Sequence, residues 1–145
     1  IIKCIMKKIF KIANKLRSSG LRPTKQRIRI AEFLFERKKA FHFTVEDLDQ
    51  LINRKANKEK ISLATFYNTV HAFKKSGHLK EILTSNNKSY FDTDVGSHHH
   101  FFDLKNNILT DIDSKEVKFK NIPKAPSGKK IRDVDVVINI ENESQ

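Results

Sequence analysis

The sequence predicts an α+β chain, with an N-terminal winged helix-turn-helix domain over residues 1–92 and a small α/β domain over 97–141. Three observations predict it. Apolar residues recur at helical spacing in four stretches that end before Gly77. Two extended runs joined by Asn86-Asn87 follow the fourth stretch directly, as a hairpin would. After His98-His99-His100 the helical period gives way to short β-rich pieces.

From Lys7 to Leu16, the residues Ile9, Ile12, Ala13 and Leu16 form one helical stripe, and Gly20 and Pro23 end it. Thr24 caps a second helix with Ile28, Ala31, Leu34 and Phe35 inward. Thr44, with Asp47 three residues on, opens a third that turns Leu48, Leu51 and Ile52 to the core. Ser62 caps a fourth over 62–76, in which Leu63, Phe66, Val70 and Phe73 share a narrow arc, and Gly77 stops it. Leu79–Leu83 and Ser89–Phe91 then pair across the Asn-Asn turn. In the second domain, strands are predicted at Phe101–Leu104, Ile108–Ile112 and Val134–Ile140, with a loop around Pro123–Gly128 and a frayed tail at Glu141–Gln145.

With 145 residues, 38% of them apolar, and eleven Phe, the chain has enough material for a core. Its formal charge of +12 favours a polyanionic partner, either nucleic acid or an anionic surface. Cys4 is the only cysteine, which removes an internal disulfide and any Cys-x-x-Cys zinc knuckle and suits a cytoplasmic protein. The apolar start is broken by Lys3, Lys7 and Lys8, so no membrane association is expected.

If the Phe66–Val70 arc faces inward, the opposite side of the fourth helix offers Ala64, Thr65, Asn68, His71, Ala72 and Lys75, with Tyr67 at its edge. Small and polar residues suit a helix entering a groove about 12 Å wide, with Asn for adenine and Thr or aromatic carbon for a thymine methyl. Lys15, Arg22, Lys25 and Arg27, together with the helix starts at Thr24 and Ser62, would hold phosphates. An ordinary amphipathic helix with a solvated polar face is the plain alternative.

The histidines form the second constellation. On a strand over 98–102, His98 and His100 project from one face and His99 from the other. Asp92 ends the hairpin and Asp111 lies on the next strand, so two carboxylates can join them, and His with Asp suits Fe²⁺, Mn²⁺ or Zn²⁺. His42 is more than fifty residues away, and spacing alone does not bring it to that face. A solvent-exposed histidine run is the competing interpretation.

Taken together, Leu21-Arg22-Pro23-Thr24-Lys25-Gln26-Arg27, His42 with Thr44-Val45-Glu46-Asp47-Leu48, Ser62-Leu63-Ala64-Thr65-Phe66-Tyr67-Asn68-Thr69, Ser89-Tyr90-Phe91-Asp92 and His98-His99-His100 resemble the ferric uptake regulator superfamily, and most closely its iron response regulator branch. The resemblance implies a winged-helix domain, an α/β dimerisation domain, and a homodimer on an AT-rich, two-fold double-stranded DNA operator. It implies that Tyr67 contacts bases and that His42, Asp92, His98, His100 and Asp111 form a regulatory metal site. That branch is also associated with haem, which would involve His98, His99 and His100. The function implied is transcription regulation, mostly repression, of iron and haem homeostasis genes. Two features depart from the pattern: the cysteine pairs of many members are missing, and Ser97 and His99 stand where a second metal site often has His and Asp.

Two other classes compete. A metal-dependent hydrolase would need an open coordination position and a general base, and no hydrolase or phosphate-loop motif is present, so an enzyme is not expected. A basic nucleic-acid-binding module with structural histidines would bind DNA with no response to metal.

Overall fold

A computed structural model describes residues 1–54 and 57–144. The chain divides into two compact units, Ile1–Leu83 with Lys88–Val95, and Thr84–Asn87 with Gly96–Gln145. The first carries α1 (Ile2–Ser18), α2 (Lys25–Phe35), β1 (His42–Phe43), α3 (Val45–Asn53), α4 (Leu63–Lys75), β2 (Lys80–Leu83) and β3 (Ser89–Asp92). The second carries β4 (His98–Asp103), β5 (Ile108–Asp113), a 3-10 turn (Ser114–Glu116) and β6 (Val137–Ile140). Helices and sheets together make this an α+β fold.

In the first unit, Leu16, Ile30, Leu34, Leu48, Phe66, Val70 and Phe73 are each no more than 1% exposed, and Phe43 and Phe91 join them from the sheet. Burying such a side chain is worth about 1.5–3 kcal/mol, so packing rather than helix propensity holds these elements. Three residues on the predicted inner faces are exposed. Leu63 is 42% exposed, and burial in α4 begins at Phe66. Leu51 is 37% exposed, since Leu48 and Ile52 fill the inner face of α3. Ile9 is 42% exposed, and α1 begins at Ile2, where Ile2, Ile5 and Met6 continue the helix without burial. Ile30 takes a core place in α2, while Ile28 is half-buried.

Caps fix where the helices start. The Thr24 and Ser62 hydroxyls accept from the N–H groups of Arg27 and Thr65. At α3 the box is reciprocal: Asp47 N–H donates to Thr44 Oγ1 and Thr44 N–H donates to Asp47 Oδ2, both at 3.1 Å. Thr44→Ala is expected to cost about 1 kcal/mol, read as a lower urea midpoint with an unchanged slope. Ahead of α4, the Asn53 amide clamps Ile61 from both sides, donating to its carbonyl at 2.8 Å and accepting from its N–H at 2.9 Å. That pair of hydrogen bonds aims the segment that enters Ser62.

The first sheet runs β1-β3-β2, all antiparallel. Two residues carry no periodic signal, so β1 is visible only through its pairing. The second sheet runs β5-β4-β6, with β4–β5 antiparallel and β4–β6 parallel. The turn between β4 and β5 is held by Asp103, which accepts from the N–H groups of Lys105 and Asn106, and Asn107 has φ 55°. β6 starts at Val137 rather than Val134: the Val136 N–H is taken by the His99 ring at 3.2 Å instead of a strand partner. Among the described residues, the helical content of the second unit is the 3-10 turn alone. Glu141–Ser144 form neither helix nor strand, and Gln145 lies outside the described residues.

Candidate functional site

Strand register brings His42 to Asp92. In the β1–β3 pair these two residues stand directly opposite. Residues opposed across an antiparallel pair share a face, which is how a histidine fifty positions upstream meets the hairpin's last residue. His42 Nε2 lies 2.9 Å from Asp92 Oδ2, while Asp92 Oδ1 accepts the Asp94 N–H at 2.8 Å. Asp92 is fully buried, and a carboxylate in that position is tolerable only with both oxygens engaged.

The second unit repeats the device. His100 and Asp111 are opposed in the β4–β5 pair, and alternation puts His98 on the same face. His98 and His100 lie 3.4 and 3.3 Å from Asp111 Oδ1 through their Nε2 atoms, and the two rings are 4.6 Å apart at 61°. His98 Nδ1 lies 2.9 Å from the Gly96 carbonyl. A carbonyl only accepts, so Nδ1 carries the proton and Nε2 presents its lone pair. This is the arrangement by which a second partner fixes the tautomer of a metal-binding imidazole. His98 and His100 are 8% and 2% exposed, whereas Asp111 is open to solvent. His98, His100 and Asp111 each place a donor atom within 4.8 Å of the others, and His42 and Asp92 also offer donors of metal-binding type. Imidazole nitrogens and carboxylate oxygens without thiolate suit borderline and harder divalent ions.

His99 differs from its neighbours. It is 4% exposed and on the other face of β4, with Nδ1 accepting the Val136 N–H at 3.2 Å and its ring edge-on to Phe119 at 5.8 Å. Accepting at Nδ1 leaves the proton on Nε2, so neither nitrogen offers a free lone pair. The three histidines therefore do not form one ligand set.

On α4, Ser62, Ala64, Tyr67, Asn68 and His71 are exposed and Thr65 is half-buried, while Phe66, Thr69, Val70 and Phe73 turn inward. The buried Thr69 hydroxyl is satisfied by the Thr65 carbonyl at 2.7 Å. Arg22 and Lys25 are exposed at the start of α2, which has no acid in its first turn. Arg27 is half-buried and donates to the Arg22 carbonyl at 3.2 Å. Lys15 is the least free of the expected phosphate contacts: its ammonium sits 3.9 Å from the Phe35 ring centre, and burial, then Lys11, pull its pKa below the usual lysine value. Two polar contacts on this face carry no sequence signal. The Tyr67 hydroxyl donates to Glu46 on α3, and Lys74 pairs with Glu81 on β2. Burial pushes Glu81 up, yet its bonds to Lys74 and Ser89 prevail and hold it below the usual carboxylate value.

The model of the ferric uptake regulator family matches residues 18–139. A peroxide-responsive repressor from Staphylococcus epidermidis is 32% identical over 97 residues, covering 67% of this chain and 62% of that protein. The peroxide operon regulator of Bacillus subtilis is 33% identical over 85 residues, covering 59% and 55%. The chain thus spans less than two thirds of the length of these curated relatives. The ferric uptake regulator of Pseudomonas aeruginosa, solved with manganese, superposes with a TM-score of 0.64 at 19% identity, covering 92% of this chain and 98% of that one, a likeness of fold. With the family's model matching most of its length, the chain belongs to the ferric uptake regulator family, whose members are transcription regulators and not enzymes.

Proposed function

We propose that this chain is a metal-responsive, sequence-specific DNA-binding regulator, acting mostly as a repressor and as a homodimer. In this reading α4 enters the major groove of an AT-rich, two-fold operator, and the second unit pairs the two copies. The observation that carries the metal response is the doubled cross-strand device, His42 opposite Asp92 and His100 opposite Asp111. In this reading one ion is held by His42, Asp92, His98, His100 and Asp111. A metal there supplies positive charge among five donors. His98 contributes a fixed tautomer, His98 and His100 buried imidazoles, and Asp111 a solvent-open carboxylate for exchange. By favouring one arrangement of the reading heads, such a site has the differential affinity that a switch needs.

Fe²⁺ and Mn²⁺ are the first candidates, with Zn²⁺ third, and iron homeostasis genes are the natural targets. The two relatives are named for peroxide, so peroxide with iron bound belongs among the signals tested. Haem is the weaker reading, because His99 Nδ1 is taken by the Val136 N–H and only His98 and His100 share a face.

The test is a footprint of the full chain on its own upstream DNA with Fe²⁺, Mn²⁺, Zn²⁺, haem or chelator. Protection of a two-fold site in one metal state is expected. Equal protection in all states would retire the metal response, and none in any state would retire the DNA reading. Tyr67→Ala is expected to lower the operator-to-random ratio by about tenfold, whereas Lys25→Ala weakens all DNA alike and reduces the salt slope by about one.

A further inference from the structure

Glu46 places a carboxylate on a face otherwise suited to a polyanion. It stands at the second position of α3, in a first turn held by the Thr44–Asp47 capping box, and accepts the Tyr67 hydroxyl. Below that bond, the Tyr67 ring stacks on His71 at 5.9 Å and 13°, and His71 meets the edge of Phe91 at 5.9 Å and 89°. Tyr67 is about one-third exposed, and an exposed tyrosine with no partner samples several rotamers. Here the ring is held at its base by His71 and at its tip by Glu46. Its phenol is pushed above the usual tyrosine value, first by the hydrogen bond to Glu46, then by burial and by the carboxylate's charge.

We infer that Glu46 is a specificity-determining positioning residue: its carboxylate holds the Tyr67 phenol so that one ring orientation is presented to the bases. This rests on the reading of α4 as the element that enters DNA. The same carboxylate repels phosphate, so it weakens binding to any duplex on which the Tyr67 contact is not made. The competing account is that Glu46 serves only the positive end of the α3 dipole, as an acid in a first turn commonly does.

Equilibrium binding to the footprinted operator and to a random duplex, at several salt concentrations, separates these accounts. Glu46→Ala and Tyr67→Phe are each expected to lower the operator-to-random ratio by about fivefold, the loss of one charge-assisted hydrogen bond. The double variant should be no worse than either single one, and Glu46→Gln, whose carbonyl still accepts the phenol proton, should keep most of the ratio. Glu46→Ala should also raise affinity for random DNA. In an absorbance titration, the phenol that disappears in Tyr67→Phe should ionise closer to pH 10 in Glu46→Gln than in the parent, because the repelling charge is gone.

An unchanged ratio in Glu46→Ala or Tyr67→Phe, or additive losses in the double variant, would overturn the positioning role. If Tyr67→Ala loses specificity while those two do not, the inference fails and the reading of α4 stands. If Tyr67→Ala also keeps full specificity, both fail. A loss of stability alone in Glu46→Ala leaves the dipole account.

Discussion

His100→Ala is expected to lower affinity for Mn²⁺ or Zn²⁺ by at least about a hundredfold, since even partners behind a ligand are commonly worth 10–100-fold. His100 is 2% exposed and lies 3.3 Å from Asp111, so its removal deletes an imidazole from the densest part of the donor set. Titration calorimetry on the metal-free protein reads the effect directly. A cavity left by the lost ring could also loosen β4, so Asp111→Asn is the companion variant. Asp111 is solvent-open, and its replacement should leave the metal-free melting temperature unchanged while still lowering metal affinity. Metal affinity within threefold of the parent in both variants would remove His100 and Asp111 from the site. The relevant comparison for DNA is the metal response: both variants should bind the operator equally with metal and with chelator.

Phe73→Ala is expected to destabilise the first unit by about 3–5 kcal/mol, the range for deleting a buried phenyl ring. Phe73 is fully buried, its ring 5.0 Å and near-perpendicular to Phe35 and 6.0 Å from His78. His78 is itself held below the usual histidine value, by burial first and Lys15 second. The loss amounts to a large share of a small domain's stability. A shifted chemical-denaturation midpoint measures it, and operator and random DNA binding should fall together because α4 loses its seat. A loss below about 1 kcal/mol would mean that the α2–α4 packing relaxes around the gap.

Much of the fold could be read from local pattern. The caps at Thr24, Thr44 and Ser62, the inward Phe66, Val70 and Phe73, and the Asn-Asn turn are all decided within a few residues, where spacing and side-chain chemistry act alone. Helical spacing overstates burial at Ile9, in the middle of α1, as well as near the helix ends at Leu63 and Leu51. Leu63 and Leu51 keep helical spacing, yet whether a marginal residue is covered depends on what packs opposite it, which no periodicity records. β1 is invisible to periodicity for the same reason, as a two-residue strand exists only through its pairing with β3.

The sequence by itself determined which residue types were available: a capped helix with a small, polar outer face, a histidine run with carboxylates nearby, no thiolate pair, and a strongly basic charge. The face separation of His98 and His100 from His99 also follows from it, because strand alternation is a backbone property. Tertiary structure decided the pairings. Register alone set His42 opposite Asp92 and His100 opposite Asp111, and α3 packing on α4 set Glu46 against Tyr67. It also spent His99 on Val136. Contacts between residues distant in the chain depend on the register of paired strands and the seating of packed helices, and those are properties of the folded whole.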